Sequence, residues 1–334
     1  MRKLIAETAW HHEGDYLFMK DLISEICERS AANIVKMHIT LDLDEYMSKD
    51  HDAYDILRNW LLSSEQWEEL ISIVQARGKE IMLLLNDTRA VNFASQFNPE
   101  MIEIHSVCLN VPRLQRAVLE KINNKTKIVI GVGGCTLEEV DEAVRVFDNR
   151  ETILMFGFQN YPTKYEDVNL GKIRKIQALY SDKKYGYADH TAWDEENNEL
   201  ITLFVSANGM DYIEKHVTTE YGKERCDYSA AISIDQFNML EKKIRLLDEL
   251  DGNRSVLLNK GEQDYSIYGP MKMAALSKHN LNKGKTLTLE DIHFCRTSQT
   301  TSLSQIDLLQ ALGSKLVEDV KINQVIGWNH LSER

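Results

Sequence analysis

His190 in YADHT and His216 in EKHVT each follow a short apolar run, with Asp189 and Glu214 beside them. If both runs are neighbouring parallel strands, about 4.8 Å apart, two imidazoles at equivalent heights can share one divalent cation. Two imidazoles with few thiolates suit Mn²⁺, Mg²⁺ with waters, or Zn²⁺. The alternative is that each histidine only hydrogen-bonds within its loop. Glu7 lies between an apolar run and the His11–His12 pair, where a carboxylate can bind a sugar hydroxyl, orient a cation or close an N-terminal salt bridge. Lys36, inside NIVKMHIT, is expensive to bury without an anion to meet it. That anion is either a substrate phosphate or carboxylate, or an acid on a neighbouring strand such as Glu7 or Glu103. His38, two residues on, faces the same side of its strand and on its own reads as a polar filler. The glycines of GVGGC (Gly131, Gly133, Gly134) suit a tight strand-to-helix turn or a phosphate cradle, and Cys108 in SVCLN has no neighbouring motif that would make it a nucleophile.

Residues so far apart in sequence meet only if the elements between them are regular. Apolar runs at Lys3–Thr8, Asn33–His38, Glu80–Leu85, Met101–His105, Lys127–Val132, Thr152–Phe158, Lys184–Ala188 and Asp211–Val217 are continuous rather than alternating, as buried parallel strands are. Helical periodicity fills Tyr16–Arg29, Glu65–Arg77, Pro112–Lys121, Leu137–Val146, Val168–Tyr180, Glu195–Ala207 and Ile234–Leu250. Ser63–Ser64 before EQWEEL and Thr136 three residues before Glu139 are helix-start signals. Eight such units predict an α/β fold, a (β/α)₈ TIM barrel over 1–250, with a doubly wound open sheet as the alternative. The polar stretch 251–268 reads as a linker, and 269–334 as a small β-rich domain. In a parallel barrel the strand ends carry the site, which brings His105 and Ser106, Asn86 and Asp87, and Gln159 and Tyr161 into the candidate set.

Composition bounds the partners. Of 334 residues, 43% are hydrophobic and 27% charged, which fits a folded soluble body. The formal charge of −13 argues against nucleic acid or an anionic membrane as partner. No run reaches the roughly 18 apolar residues of a membrane span. Five cysteines without a C-x-x-C pair suggest a reducing cytoplasm.

Taken in order, the motifs resemble the sialic acid synthase family, which includes N-acetylneuraminate, legionaminate and pseudaminate synthases and a spore-coat polysaccharide relative. IAETAWHHEGD is similar to the family's IAEIGxNHxGD, VKMH to VKxQ, NYPTKYEDVNL to YPxPYEDVNL, YADHT to SDHT and YIEKHVT to ExHFT. LLSSEQWEEL and GCTLEEVDEAV fall in family order, and LSKHNLNKGKTLTLEDIHFCR resembles the antifreeze-like (SAF) domain appended to these barrels. The resemblance implies condensation of phosphoenolpyruvate with an amino-sugar aldehyde to a nine-carbon 2-keto-3-deoxy acid, in bacterial surface-glycan biosynthesis. It implies a divalent cation, Mn²⁺ or Mg²⁺ foremost, held by His190 and His216. Glu7 and Arg296 would face the sugar, while Lys36, His38, Ser106, Gln159 and Tyr161 would contact substrate, mostly on the phosphoenolpyruvate side. It also implies a domain-swapped homodimer, in which Arg296 reaches the partner's site.

The departures cluster on the phosphate side. Leu85 stands where a hydroxyl is expected, Glu103 where a lysine is, Gly131 and Ala188 where serines are, Gln159 for an asparagine and His38 for a glutamine. The PGPD loop survives only as Asp227. An acid in place of a lysine turns attraction for phosphate into repulsion. This leaves two further readings beside the synthase: a metal-dependent aldolase, lyase or isomerase on a related sugar acid that needs no phosphoenolpyruvate, and a non-catalytic sugar-binding relative.

Overall fold

The computed structural model describes residues 1–157, 160–253 and 255–332. The chain divides into two compact units, Met1–Asp251 and the residues from Gly252 onward.

Eight strands build the first unit: β1 (Lys3–Glu7), β2 (Ile34–Ile39), β3 (Glu80–Leu85), β4 (Met101–Ile104), β5 (Lys127–Gly131), β6 (Thr152–Gly157), β7 (Lys184–Asp189) and β8 (Tyr212–Thr218). Each pairs in parallel with the next, and β1 also pairs with β8, closing the TIM barrel. This excludes the open sheet. A short β9 (Ile232–Ser233) extends β8, pairing Val217 with Ile232. Within the first unit, sequence periodicity missed three helices, Leu43–Tyr46, Tyr54–Trp60 and Thr88–Ala94. All are seven residues or fewer, too short to show a period, and the last is started by Asp87 accepting the amide of Ala90 at 2.7 Å. The predicted helix Val168–Tyr180 is found as Leu170–Leu179, with a separate turn of helix, Tyr165–Val168, ahead of it and Asn169 between them in the left-handed conformation.

Strand alternation sorts the side chains into two cores. Leu4, Val35, Met37, Leu83, Leu85, Ile102, Ile104, Ile130 and Ile213 face outward and pack with helical residues such as Leu22, Trp67, Val118 and Phe237. Ile5, Ile34, Met82, Met101, Val129, Ile153 and Tyr212 fill the barrel's lower interior. The next inward positions toward the strand C-termini are Glu7, Lys36, Leu84, Glu103, Gly131, Met155, Ala188 and Glu214, and all line a cavity. The barrel is therefore apolar at one end and charged at the other.

Two glycines let β6 and β7 lie close. A Cβ on Gly157, whose φ is +108°, would stand 1.9 Å from the Ala188 carbonyl oxygen, and one on Gly186 would stand 2.7 Å from the Met155 sulfur. No side chain fits at Gly157 without displacing β7, the strand that leads into His190.

In the second unit, β10 (Ala274–Ser277) and β11 (Ile292–Cys295) form an antiparallel ribbon. With isolated bridges and the helix Gln305–Ala311, they enclose a small core around Leu281, Leu287, Leu308, Val320 and Ile326. Among the described residues no helix is long and apolar enough to cross a membrane.

Candidate active site at the barrel mouth

The cavity at the C-terminal ends of the strands holds about 400 Å³ and is lined by Glu7, Lys36, His38, Ser106, Tyr161, His190 and His216 among others. These seven candidates from six separate strands or their following loops are thus brought together. Gln159 lies outside the described residues. Arg296 belongs to the second unit, where its Nε donates to the Pro270 carbonyl at 2.8 Å.

His190 directly follows β7 and His216 lies near the C-terminal end of β8, with their Nε2 atoms 3.2 Å apart, and Glu7 Oε2 stands 3.4 Å from His216 Nε2. Two ligands about 2.1 Å from one ion, at tetrahedral or octahedral angles, lie roughly 3.0–3.4 Å apart, so this buried trio fits a single divalent cation. Both imidazoles are neutral, as ligands must be: burial holds His190 well below the ordinary histidine value and His216 at about 3. Tyr161 donates its hydroxyl to the Asp227 carbonyl. The same oxygen lies 3.5 Å from His216 Nδ1, so it can accept that N–H and leave Nε2 as the lone-pair nitrogen.

The acid completing the trio is Glu7, not Asp189 or Glu214. Asp189 alternates outward, where it faces Lys215 at 3.3 Å and accepts from Thr191 and Thr202, a buried structural pair between barrel and helix. Glu214 points inward but is engaged with Lys36. Lys36 Nζ meets Glu103 at 2.7 Å, Glu214 at 2.9 Å and Glu7 at 3.2 Å, all four side chains being almost fully buried. Burial pushes Lys36 down, but Glu103, Glu214 and Glu7 more than offset this and hold it well above the ordinary lysine value. Burial, then the charge of Glu7, pushes Glu214 well above the usual carboxylate range, with Lys36 pulling back.

The fourth-strand register is fixed by Glu103 pairing with Leu84 and Val129. Glu103 therefore faces the interior. Leu85, by contrast, packs in the outer core and does not touch the cavity; Leu84 lines it instead. Gly131 has its own reason to lack a side chain, since a Cβ there would lie 2.9 Å from the Ser106 amide nitrogen. Cys108 is buried and its thiol is pushed up to about 12, which removes it as a nucleophile.

On the β2–β4 side His38 Nε2 lies 2.7 Å from Asn86 Nδ2, and its ring stacks near His105 with centroids 6.4 Å apart. Burial lowers both imidazoles. Among the lining residues that sequence reasoning did not pick as site members are Trp10 and, beyond its place in the remnant loop motif, Asp227. Trp10, whose ring lies 5.1 Å from that of His38, donates its backbone N–H to Asp227 Oδ2 at 3.0 Å. The only signal for it was an aromatic beside the His11–His12 pair. Asp227 adopts φ +64° and ties the loop after β8 to the loop after β1.

A family model described as the NeuB family matches residues 28–255, more than half of the chain. The chain belongs to the NeuB family. An uncharacterized protein of Methanocaldococcus jannaschii is 26% identical over 98% of this chain and 94% of its own length. The N,N'-diacetyllegionaminic acid synthase of Legionella pneumophila is 24% identical over 98% of this chain and 94% of its own. Among solved structures, a putative spore coat polysaccharide biosynthesis protein E from Chromobacterium violaceum superposes with a TM-score of 0.79 at 18% identity, covering all of both chains. That structural likeness shows that this NeuB-family chain shares the fold.

Proposed function

We propose that this NeuB-family chain is a metal-dependent enzyme of sugar-acid metabolism, making the carbon–carbon bond between a three-carbon acid and an amino-sugar aldehyde. The product is a nine-carbon 2-keto-3-deoxy acid destined for bacterial surface glycan. The observation that carries this reading is the buried Glu7–His190–His216 trio at the floor of a cavity sized for a small molecule. A divalent cation held there, Mn²⁺ or Mg²⁺, would polarise the aldehyde oxygen as a Lewis acid. Around it Tyr161 orients His216, Ser106 and His38 offer hydrogen bonds to substrate, and the burial of Glu7 and both histidines keeps bulk water from the reacting carbon. The full-length relationship to the legionaminic acid synthase supports the synthase reading, with phosphoenolpyruvate as donor.

A second reading keeps the metal and the sugar acid but dispenses with phosphoenolpyruvate, as an aldolase or lyase would. The engagement of Lys36 with three protein carboxylates favours it. In either case we read the second unit as an antifreeze-like domain whose Arg296 reaches the partner's barrel in a swapped homodimer, acting in the cytoplasm.

The test is to incubate the Mn²⁺-loaded protein with phosphoenolpyruvate and a panel of N-acetylated and plain aldoses, measuring phosphate and 2-keto acid. In parallel, nine-carbon keto acids are offered and pyruvate is measured. Phosphate release supports the first reading and pyruvate release the second. Neither product from any substrate overturns both.

A further inference from the structure

An ammonium group has three N–H bonds to give. Three carboxylates surround Lys36 Nζ, Glu103 at 2.7 Å, Glu214 at 2.9 Å and Glu7 at 3.2 Å. The ammonium charge is therefore met by protein carboxylates, with Glu214 accepting its hydrogen bond and Glu103 and Glu7 within ion-pair distance. Among the described residues lining the cavity it is also the sole lysine or arginine. With all three acids ionised the four side chains sum to −2, before any cation on the trio is counted. A phosphate entering beside it meets carboxylates first, and in a buried site that repulsion is weakly screened.

Glu103 is the member of the trio that makes this difference. Glu7 belongs to the metal trio, and Glu214 is the acid that accepts the hydrogen bond from Lys36. Glu103 is held inward by the β3–β4–β5 register and makes the shortest of the three contacts. The neighbouring walls of the cavity are neutral: His38, His105, Ser106 and the backbone around Gly131 and Gly133. Such walls suit a carbonyl or a single carboxylate rather than a phosphate dianion.

We propose that Glu103 is a specificity residue that closes this pocket to phosphate-bearing donors, so that the three-carbon partner is an unphosphorylated 2-oxo acid of the pyruvate class. This rests on the second reading above. The balance needs no co-reactant: one C3–H bond of the 2-oxo acid breaks, C3 joins the aldehyde carbon, and the aldehyde oxygen gains a proton equivalent to the one lost. No phosphate is released, and cleavage runs through the same steps in reverse.

Calorimetry on the full-length protein tests it. Pyruvate, phosphoenolpyruvate and inorganic phosphate are titrated into wild type, Glu103→Gln and Glu103→Ala, each with and without Mn²⁺, after Mn²⁺ binding has been measured on its own. The proposal expects wild type to bind pyruvate at least tenfold more tightly than phosphoenolpyruvate. It also expects either substitution to raise affinity for phosphoenolpyruvate and inorganic phosphate about tenfold while leaving that for pyruvate within threefold. Because the effect is electrostatic, the gain for inorganic phosphate is expected with or without metal. Wild type preferring phosphoenolpyruvate, or both folded variants keeping the wild-type preference, overturns it. Absence of Mn²⁺ binding with the Glu103 effect intact would sink the metal-dependent reading and leave the filter standing.

Discussion

Lys36→Met removes the one positive charge from a pocket floor that holds Glu7, Glu103 and Glu214. Methionine matches the lysine stem in length and adds no cavity, so the change isolates the charge. At an effective dielectric of about 20, a pair 3 Å apart is worth roughly 5 kcal/mol before desolvation. Stripping one partner from a buried ion pair costs about 3–5 kcal/mol in practice. Three orphaned carboxylates would cost more, but proton uptake limits the loss, so about 4 kcal/mol is expected at pH 7.5. For a barrel of this size that lowers Tm by roughly 8–16 °C. The pH dependence has a definite sign. Without Lys36 the carboxyl groups have folded pKa values above their unfolded ones, so their contribution is present at low pH and lost as pH rises. The deficit should shrink as pH falls from 8 to 5. Glu103→Gln is the control, because it relieves crowding and leaves Lys36 with two partners; its Tm should stay within about 3 °C of wild type. Thermal unfolding of the metal-free proteins, followed by far-UV circular dichroism across pH 5–8, gives all these numbers. A Lys36→Met protein as stable as wild type, or one whose deficit grows on acidification, would refute the argument.

The buried histidines make the opposite pH prediction. His216 at about 3 and His12 at about 4 stay neutral when folded, while the unfolded chain takes up protons near 6.5. Stability should therefore fall as pH drops below about 6.5, by roughly 2 kcal/mol per such histidine at pH 5, measured as Tm against pH on metal-free protein. Gly157→Ala, which drives a Cβ into the Ala188 carbonyl, should cost at least about 2 kcal/mol and weaken metal binding by moving His190; an unchanged Tm and metal affinity would contradict the close β6–β7 approach. If Arg296 completes a partner's site, Arg296→Ala and His216→Ala proteins should each be inactive alone and regain up to about a quarter of wild-type activity when mixed and allowed to exchange subunits. No recovery in exchanged heterodimers would exclude the swap.

The barrel was legible because its strands are continuous apolar runs and its longer helices span several turns, so both leave a clear period. Pro112–Lys121 and Leu137–Val146 have the predicted limits. The short helices were invisible for the complementary reason: one or two turns, set by caps such as Asp42 and Asp87, leave no periodicity. The candidate residues of the barrel converge because they share one end of parallel strands, yet strand alternation decides which neighbours face in. That parity turned Glu214 and Leu84 inward and Asp189 and Leu85 outward. What a linear reading lacks is the identity of cross-barrel partners. Lys36 meets acids from β1, β4 and β8, and only closure of the sheet puts all three on one ammonium.

Catalysis as proposed requires Glu7, His190 and His216 to hold one divalent cation. Titration of Mn²⁺ into the metal-free protein, read by electron paramagnetic resonance of the free ion and repeated on His190→Ala, His216→Ala and Glu7→Gln, tests it most directly. The account predicts one ion per chain, affinity at least 100-fold weaker in each histidine variant and about tenfold weaker in Glu7→Gln, and little change between pH 8 and pH 6.5 because both imidazoles are already neutral. Equal Mn²⁺ affinity in wild type and in a folded His216→Ala protein would contradict it.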